Sequence, residues 1–350
     1  MKLSHGISAM ALSIAGAVGT QVNAAATDAH TLIVTASNTA TNELLIYSPT
    51  GALLKQISTQ GEGGASGNAG GIAQDHNRLA VVNFGSNNVT VFTRDPDGTM
   101  LRFEKLIEVS AAPVSVAFGH DHLYILTTAD VESHRIDLSG VTANADGEAG
   151  LLVADGSAAQ VGVLPAQLIF TEKSNAIETA TLDDQGAIAG KATLVANIPA
   201  NVNEPLGLIT RGKDAYVTIA KVNEVTLVRN DEVLTVGSTG SQNAPCWLAF
   251  DGPFLFSSNT GSKTISRFAV YGQNIILDAP VTATLNGNST DIAQRNGLLS
   301  VVDNNGTVSH LSMFHVDEDG NLSLQGLATI NSPATNGVVI FSQNERFEHN

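Results

Sequence analysis

Cys246, the single cysteine of the chain, stands beside Trp247, its single tryptophan. A thiol attacks a carbonyl as its thiolate, and a neighbouring His, Lys or positive field is what produces that state. No such residue adjoins Cys246, so the pair reads as a small buried hydrophobe next to an aromatic wall. Polar side chains are the more numerous candidates: Gln160, Asn203, Glu204, Gln242, Asn243, Asp291 and Asn336. Amides and carboxylates of this kind suit a neutral sugar, peptide or lactone, and they equally satisfy backbone groups at strand starts. His120 and His122 flank Asp121, but two imidazoles without a third donor read as a turn rather than a metal site. Glu172-Lys173 is a nominal acid–base pair, with a solvated or cross-strand ion pair as the plainer reading. The glycine-rich stretch 61–71 is followed by no helix, so it is not a phosphate-binding loop. No metal and no cofactor are expected.

The elements that must position these residues are strands. A β-run, a small polar loop and a second β-run begin at Leu32, Leu79, Leu123, Leu168, Ala215, Phe254 and Leu298, with spacings of 47, 44, 45, 47, 39 and 44 residues. A period near 45 residues indicates four-stranded blades, so the spacing predicts an all-β, seven-bladed β-propeller with antiparallel blades. A shorter apolar run precedes each unit except the first: 71–74, 114–118, 160–164, 206–209, 247–250 and 290–294. These are the expected innermost strands. The missing one stands at the other end of the chain, as Gly337-Val338-Val339-Ile340-Phe341, and is expected to close the ring against the first blade. Asp95-Pro96-Asp97-Gly98, Asp183-Asp184-Gln185-Gly186 and Asp317-Glu318-Asp319-Gly320 supply hairpin turns after third strands. None continues into the ligand spacing of a calcium loop. The polar, glycine-rich segment 141–157 reads as an enlarged connection between the third and fourth blades.

Radial symmetry then gathers Gln160, Asn203, Glu204, Gln242, Asn243, Asp291 and Asn336 at one mouth of the channel, with Cys246 and Trp247 beside them. A short positive start and the apolar run 7–18 lead to Val22-Asn23-Ala24, the small-residue spacing of a signal peptidase site. The expected organisation is a signal peptide over 1–24 and one propeller domain over 25–350, with a periplasmic or secreted, monomeric product. No later stretch suits a membrane span. The net charge of −16 argues against nucleic acid and anionic membranes as partners. One cysteine allows no internal disulfide.

The runs Thr171–Ile177 (TEKSNAI), Ala244–Phe268 (APCWLAFDGPFLFSSNTGSKTISRF) and Ser289–Leu311, with QGEGGASGNAGGI before the second blade, resemble the exported bacterial branch of the seven-bladed lactonase family. That family is similar to 6-phosphogluconolactonase and to the carboxymuconate-cyclising enzyme. The resemblance implies a pocket at one end of the channel, worked by a His and Arg residues at the starts of inner strands. At the matching places stand Gln160, Glu204-Pro205-Leu206 and Ser289-Thr290-Asp291. Two functions therefore follow as expectations. The first is a non-catalytic propeller binding a small molecule, glycan or protein at the channel mouth, through Gln160, Asn203, Glu204, Asn243, Cys246, Trp247, Asp291 and Asn336. The second is a lactone hydrolase or cycloisomerase.

Overall fold

Strand after strand reads as alternating or continuous β-branched and aromatic residues, and each such run pairs with its chain neighbour. The computed structural model describes residues 31–67, 70–95, 100–196 and 204–341. The expected signal peptide, Asn203 and the Pro96–Gly98 turn lie outside them. Seven antiparallel sheets form, each ordered from an inner strand outward. The inner strands are Ile72–Asp75, Pro113–Gly119, Ala158–Val163, Pro205–Arg211, Pro245–Asp251, Asn288–Arg295 and Asn336–Phe341. They neighbour one another in that order and the last returns to the first, making a closed ring. Asn336–Phe341 pairs with Leu32–Ala36, so the carboxy-terminal strand completes blade 1 as expected. No described helix is long and apolar enough to cross a membrane.

The core lies in the seams between blades. Tyr124, Phe170, Tyr216 and Phe256, each on the second strand of its blade, are fully buried there. Each such ring contributes on the order of 2–3 kcal/mol by leaving water. Polar clasps reinforce the seams near one rim, where a blade's second or third strand meets the loop arriving from the preceding blade. Asn83 of blade 2 accepts a hydrogen bond from Thr59 Oγ1 at 2.6 Å. Glu132 of blade 3 accepts the Ser110 N–H at 3.1 Å, and Thr264 of blade 6 donates to Gln242 at 2.7 Å. Loop backbone and side-chain groups that packing would strand without water are satisfied this way.

One expectation is corrected. Segment 141–157 is more than a connection, because it carries much of the outer edge of blade 3. Gly140–Val141 and Gly147–Gly150 both pair with the third strand, Asp130–Asp137. The acidic turns behave as turns. Asp183 Oδ1 accepts the N–H groups of Gln185 and Ala187, at 2.8 and 3.0 Å, and Asp317 Oδ1 accepts those of Asp319 and Asn321. Gly186 and Gly320 take positive φ, 95° and 73°, a conformation that costs glycine little.

Candidate functional site

The start of an inner strand and the end of the second strand lie at the same end of an antiparallel sheet, so side chains from both meet at one mouth of the channel. A cavity of about 440 Å³ opens there, lined from blades 1, 4, 5, 6 and 7 and from the segment joining blades 1 and 2. That volume suits a small molecule. Backbone bulges help to build it. Register shifts interrupt the inner strands of six blades near their starts, and Leu206, Cys246 and Thr290 are left without pairing partners in blades 5, 6 and 7. Unpaired in the ladder, these three residues line the cavity, as bulges do when they re-aim side chains near sites.

Glu204, Cys246, Trp247 and Asn336, all read from the sequence, line this cavity. The Trp247 indole N–H donates to Ser289 O at 3.2 Å, which fixes the ring as a wall. Cys246 is buried with its thiol directed to Ala244 O at 3.3 Å. Burial pushes that thiol up to about 11, the opposite of what a nucleophile needs.

Gln160, Asn243 and Asp291 are not among the lining residues. Gln160 Oε1 accepts the Leu208 N–H at 2.8 Å, tying blade 4 to blade 5. Asn243 is exposed, and its side chain accepts from Asn223 at 3.4 Å. Asp291 turns back into the protein, where it accepts the N–H groups of Ile292 at 2.8 Å, Val338 at 3.0 Å and Gly70 at 3.4 Å. Its carboxyl is pushed up to about 7 by complete burial, against the pull of those three donors. Gln242 is likewise buried and spent on Thr264. His122 is buried, bonded to His120 O at 2.7 Å and to Asp146 at 2.9 Å. Among the described residues no three metal-donor side chains converge.

Among the components of the cavity not singled out as site residues from the sequence, two carry distinctive structure. The first is the glycine-rich segment, whose residues Gly64, Ala65, Ser66 and Gly67 form part of the wall. Asn38 holds it, accepting the Gly64 and Ala65 N–H groups at 2.7 and 3.0 Å and donating to Ala65 O at 2.8 Å. Glycine is required by close approach here, since a Cβ on Gly63 would lie 2.3 Å from the Asn38 backbone. The second is Lys173. It reaches from blade 4 to Gly67 O at 3.1 Å, and burial lowers the pKa of its ammonium while Glu204 and Asp155 oppose that. Glu172 points the other way and is fully buried, so the Glu172-Lys173 step is neither an acid–base pair nor an ion pair. A lysine next to a strand-end acid was the available signal, and its partner lies 106 residues away.

The arrangement offers one ammonium and one carboxylate, Lys173 and Glu204, among hydroxyls and amides from Thr260, Ser289, Thr290, Asn304 and Asn336, with Trp247 as the apolar side. Among the described residues no His or Arg lines it.

No known family model matches this sequence, and no curated protein matches it. Solved structures do match in fold. The periplasmic gluconolactonase of Pseudomonas aeruginosa superposes with a TM-score of 0.66 at 14% identity, covering 90% of this chain and 99% of its own. A Bacteroides uniformis protein named as a candidate 6-phosphogluconolactonase gives 0.65 at 15% identity, covering 89% and 100%. A streptogramin B lyase gives 0.56 at 16%, covering 78% and 87%. At these identities the likeness is one of architecture, and the chain is a seven-bladed propeller with lactonases among its fold neighbours.

Proposed function

We propose that this protein is a binding propeller whose mouth cavity takes a small, largely neutral polyhydroxylated molecule, a sugar or its lactone. The observation that carries this reading is the chemistry of the lining. Hydroxyl and amide groups stand with Lys173 and with Glu204, which Lys221 approaches to 4.0 Å, alongside an aromatic wall and a thiol held protonated. Such a lining recognises ring hydroxyls and a carbonyl, but supplies neither an imidazole to shuttle protons near neutral pH nor a guanidinium to clamp phosphate. Lactone hydrolysis is the second reading, favoured by the gluconolactonase fold neighbour and by an ammonium whose proton burial loosens. We further propose export to the periplasm or medium after removal of residues 1–24, which N-terminal sequencing of the recovered protein tests.

Calorimetric titration with gluconolactone, glucose and short oligosaccharides, paired with a pH-stat assay for acid release, separates the readings. Binding without acid release above the spontaneous rate is expected. Enzymatic release would make it a hydrolase, and an absence of binding across the panel would remove the cavity from consideration. Glu204→Gln and Lys173→Met should each weaken the bound member about tenfold, equivalent to about 1.4 kcal/mol.

A further inference from the structure

Buried carboxyls near the ends of second and third strands differ in how they are neutralised. In blade 3 Glu132 faces His134 at 3.1 Å, and in blade 7 Asp303 faces His310 at 3.0 Å. In blade 4 a buried carboxyl at the end of the second strand, Glu172, instead faces a second carboxyl, Glu178, on the third strand. Strand register puts them on one face: Glu178 stands opposite Phe170 and Glu172 lies two residues along the same strand, a diagonal separation that long side chains bridge. Both are fully buried. Three consecutive backbone N–H groups serve the pair. Leu152 N donates to both Glu178 oxygens at 3.2 and 3.1 Å, Val153 N to Glu172 at 3.3 Å, and Ala154 N to Glu172 at 3.1 Å.

Other titratable groups around this pair are engaged elsewhere. On the segment above it Asp155 is bonded to Ser157 and Ser174, and Lys173 is turned to Ser66 and Gly67. On the packed blade 3 face the Tyr124 hydroxyl donates to Gly186 O, Asp130 is held by Thr127 and Ser110, and Glu148 is exposed. Among the described residues no cation is bonded to either glutamate. A buried carboxylate without a cation and facing a second acidic side chain is disfavoured, so Glu172 holds its proton.

We propose that the blade 3–blade 4 seam is a proton-operated switch: the proton that Glu172 holds against the facing Glu178 keeps residues 152–157 down, and its loss to solvent frees the segment that braces Lys173 in the cavity. The brace is direct. Lys173 N donates to Ser157 O at 2.9 Å, and Ser174 N donates to Ser157 Oγ at 3.3 Å. Burial, reinforced by the facing Glu178, raises the Glu172 carboxyl far above the ordinary range, which sets the direction of the switch: closed in acid, open in base. The proposal rests on the cavity reading only for its consequence at Lys173.

Hydrogen exchange of the unliganded, full-length protein tests the switch without any ligand, so its failure is separate from failure of the binding reading. Between about pH 6 and about pH 9.5, protection of the Leu152–Ala154 amides, corrected for intrinsic rates, should fall about tenfold or more against the blade 6 strands. In Glu172→Gln, where an amide replaces the protonated acid as donor, that fall should vanish. Glu178→Gln, which removes the facing charge, provides the same comparison should the first variant not fold. Equal protection at both pH values in the parent, or the same fall in a folded variant, would overturn the proposal.

Discussion

Cys246 illustrates how position overrides residue type. A lone thiol in a cavity invites a nucleophilic role, yet it sits at a bulge, points to a carbonyl and is pushed up by burial. It should therefore resist alkylation in the native protein at about pH 8, where an ordinary free thiol is partly ionised, and react only once the protein is unfolded. Mass spectrometry of native and denatured samples checks this, and rapid native labelling would mean that a base lies within its reach. Trp247 and Glu204 were readable as residues of the channel mouth because each adjoins an inner-strand start. Lys173 was not, because its place in the wall depends on backbone carbonyls supplied by a loop between two other blades.

At the scale of elements, Asp291 makes one carboxylate serve three segments: its own strand, the closing strand through Val338 N, and the loop after blade 1 through Gly70 N. Its folded pKa, raised to about 7, lies above the unfolded value of about 3.9. The folded state therefore binds the proton more tightly, and this group's contribution to stability is full below about pH 4 and declines as pH rises to about 7. Asp291→Asn should remove that slope, so the stability gap between parent and variant should be widest in acid and shrink toward neutrality. Melting temperatures measured across that range decide it, and a gap that widens with pH would contradict the assignment. The strands themselves were legible because alternation and turn signals repeat seven times. The edge at Gly147–Gly150 was not, since Gly-Glu-Ala-Gly has no strand propensity and becomes a strand by pairing with Asp130–Ser133 in the third strand of blade 3. The glycine-rich segment leads into the strand Ile72–Asp75, and Gly63 marks close approach to Asn38, which lies on the far side of a whole hairpin in the chain.

For the whole molecule, closure is the decisive feature. Val338 and Ile340 join the core shared with blade 7, while Val339 and Phe341 join that of blades 1 and 2. Truncation after Thr335 should uncover both faces and the unpaired edge of Leu32–Ala36, costing several kcal/mol for the buried aliphatic side chains alone. Aggregation or a large fall in melting temperature is the expected outcome, and an unchanged melting curve would refute the clasp. The same clasp also sets a timetable. Thr35 Oγ1 donates to the carbonyl of Gly337, 302 residues later in the chain, so at roughly 5–20 residues per second the first blade waits about 15–60 s for its partner strand. During that interval every later blade can form on its own sheet while blade 1 stands as an open template, which makes the newborn chain, rather than the finished ring, the species most in need of a chaperone.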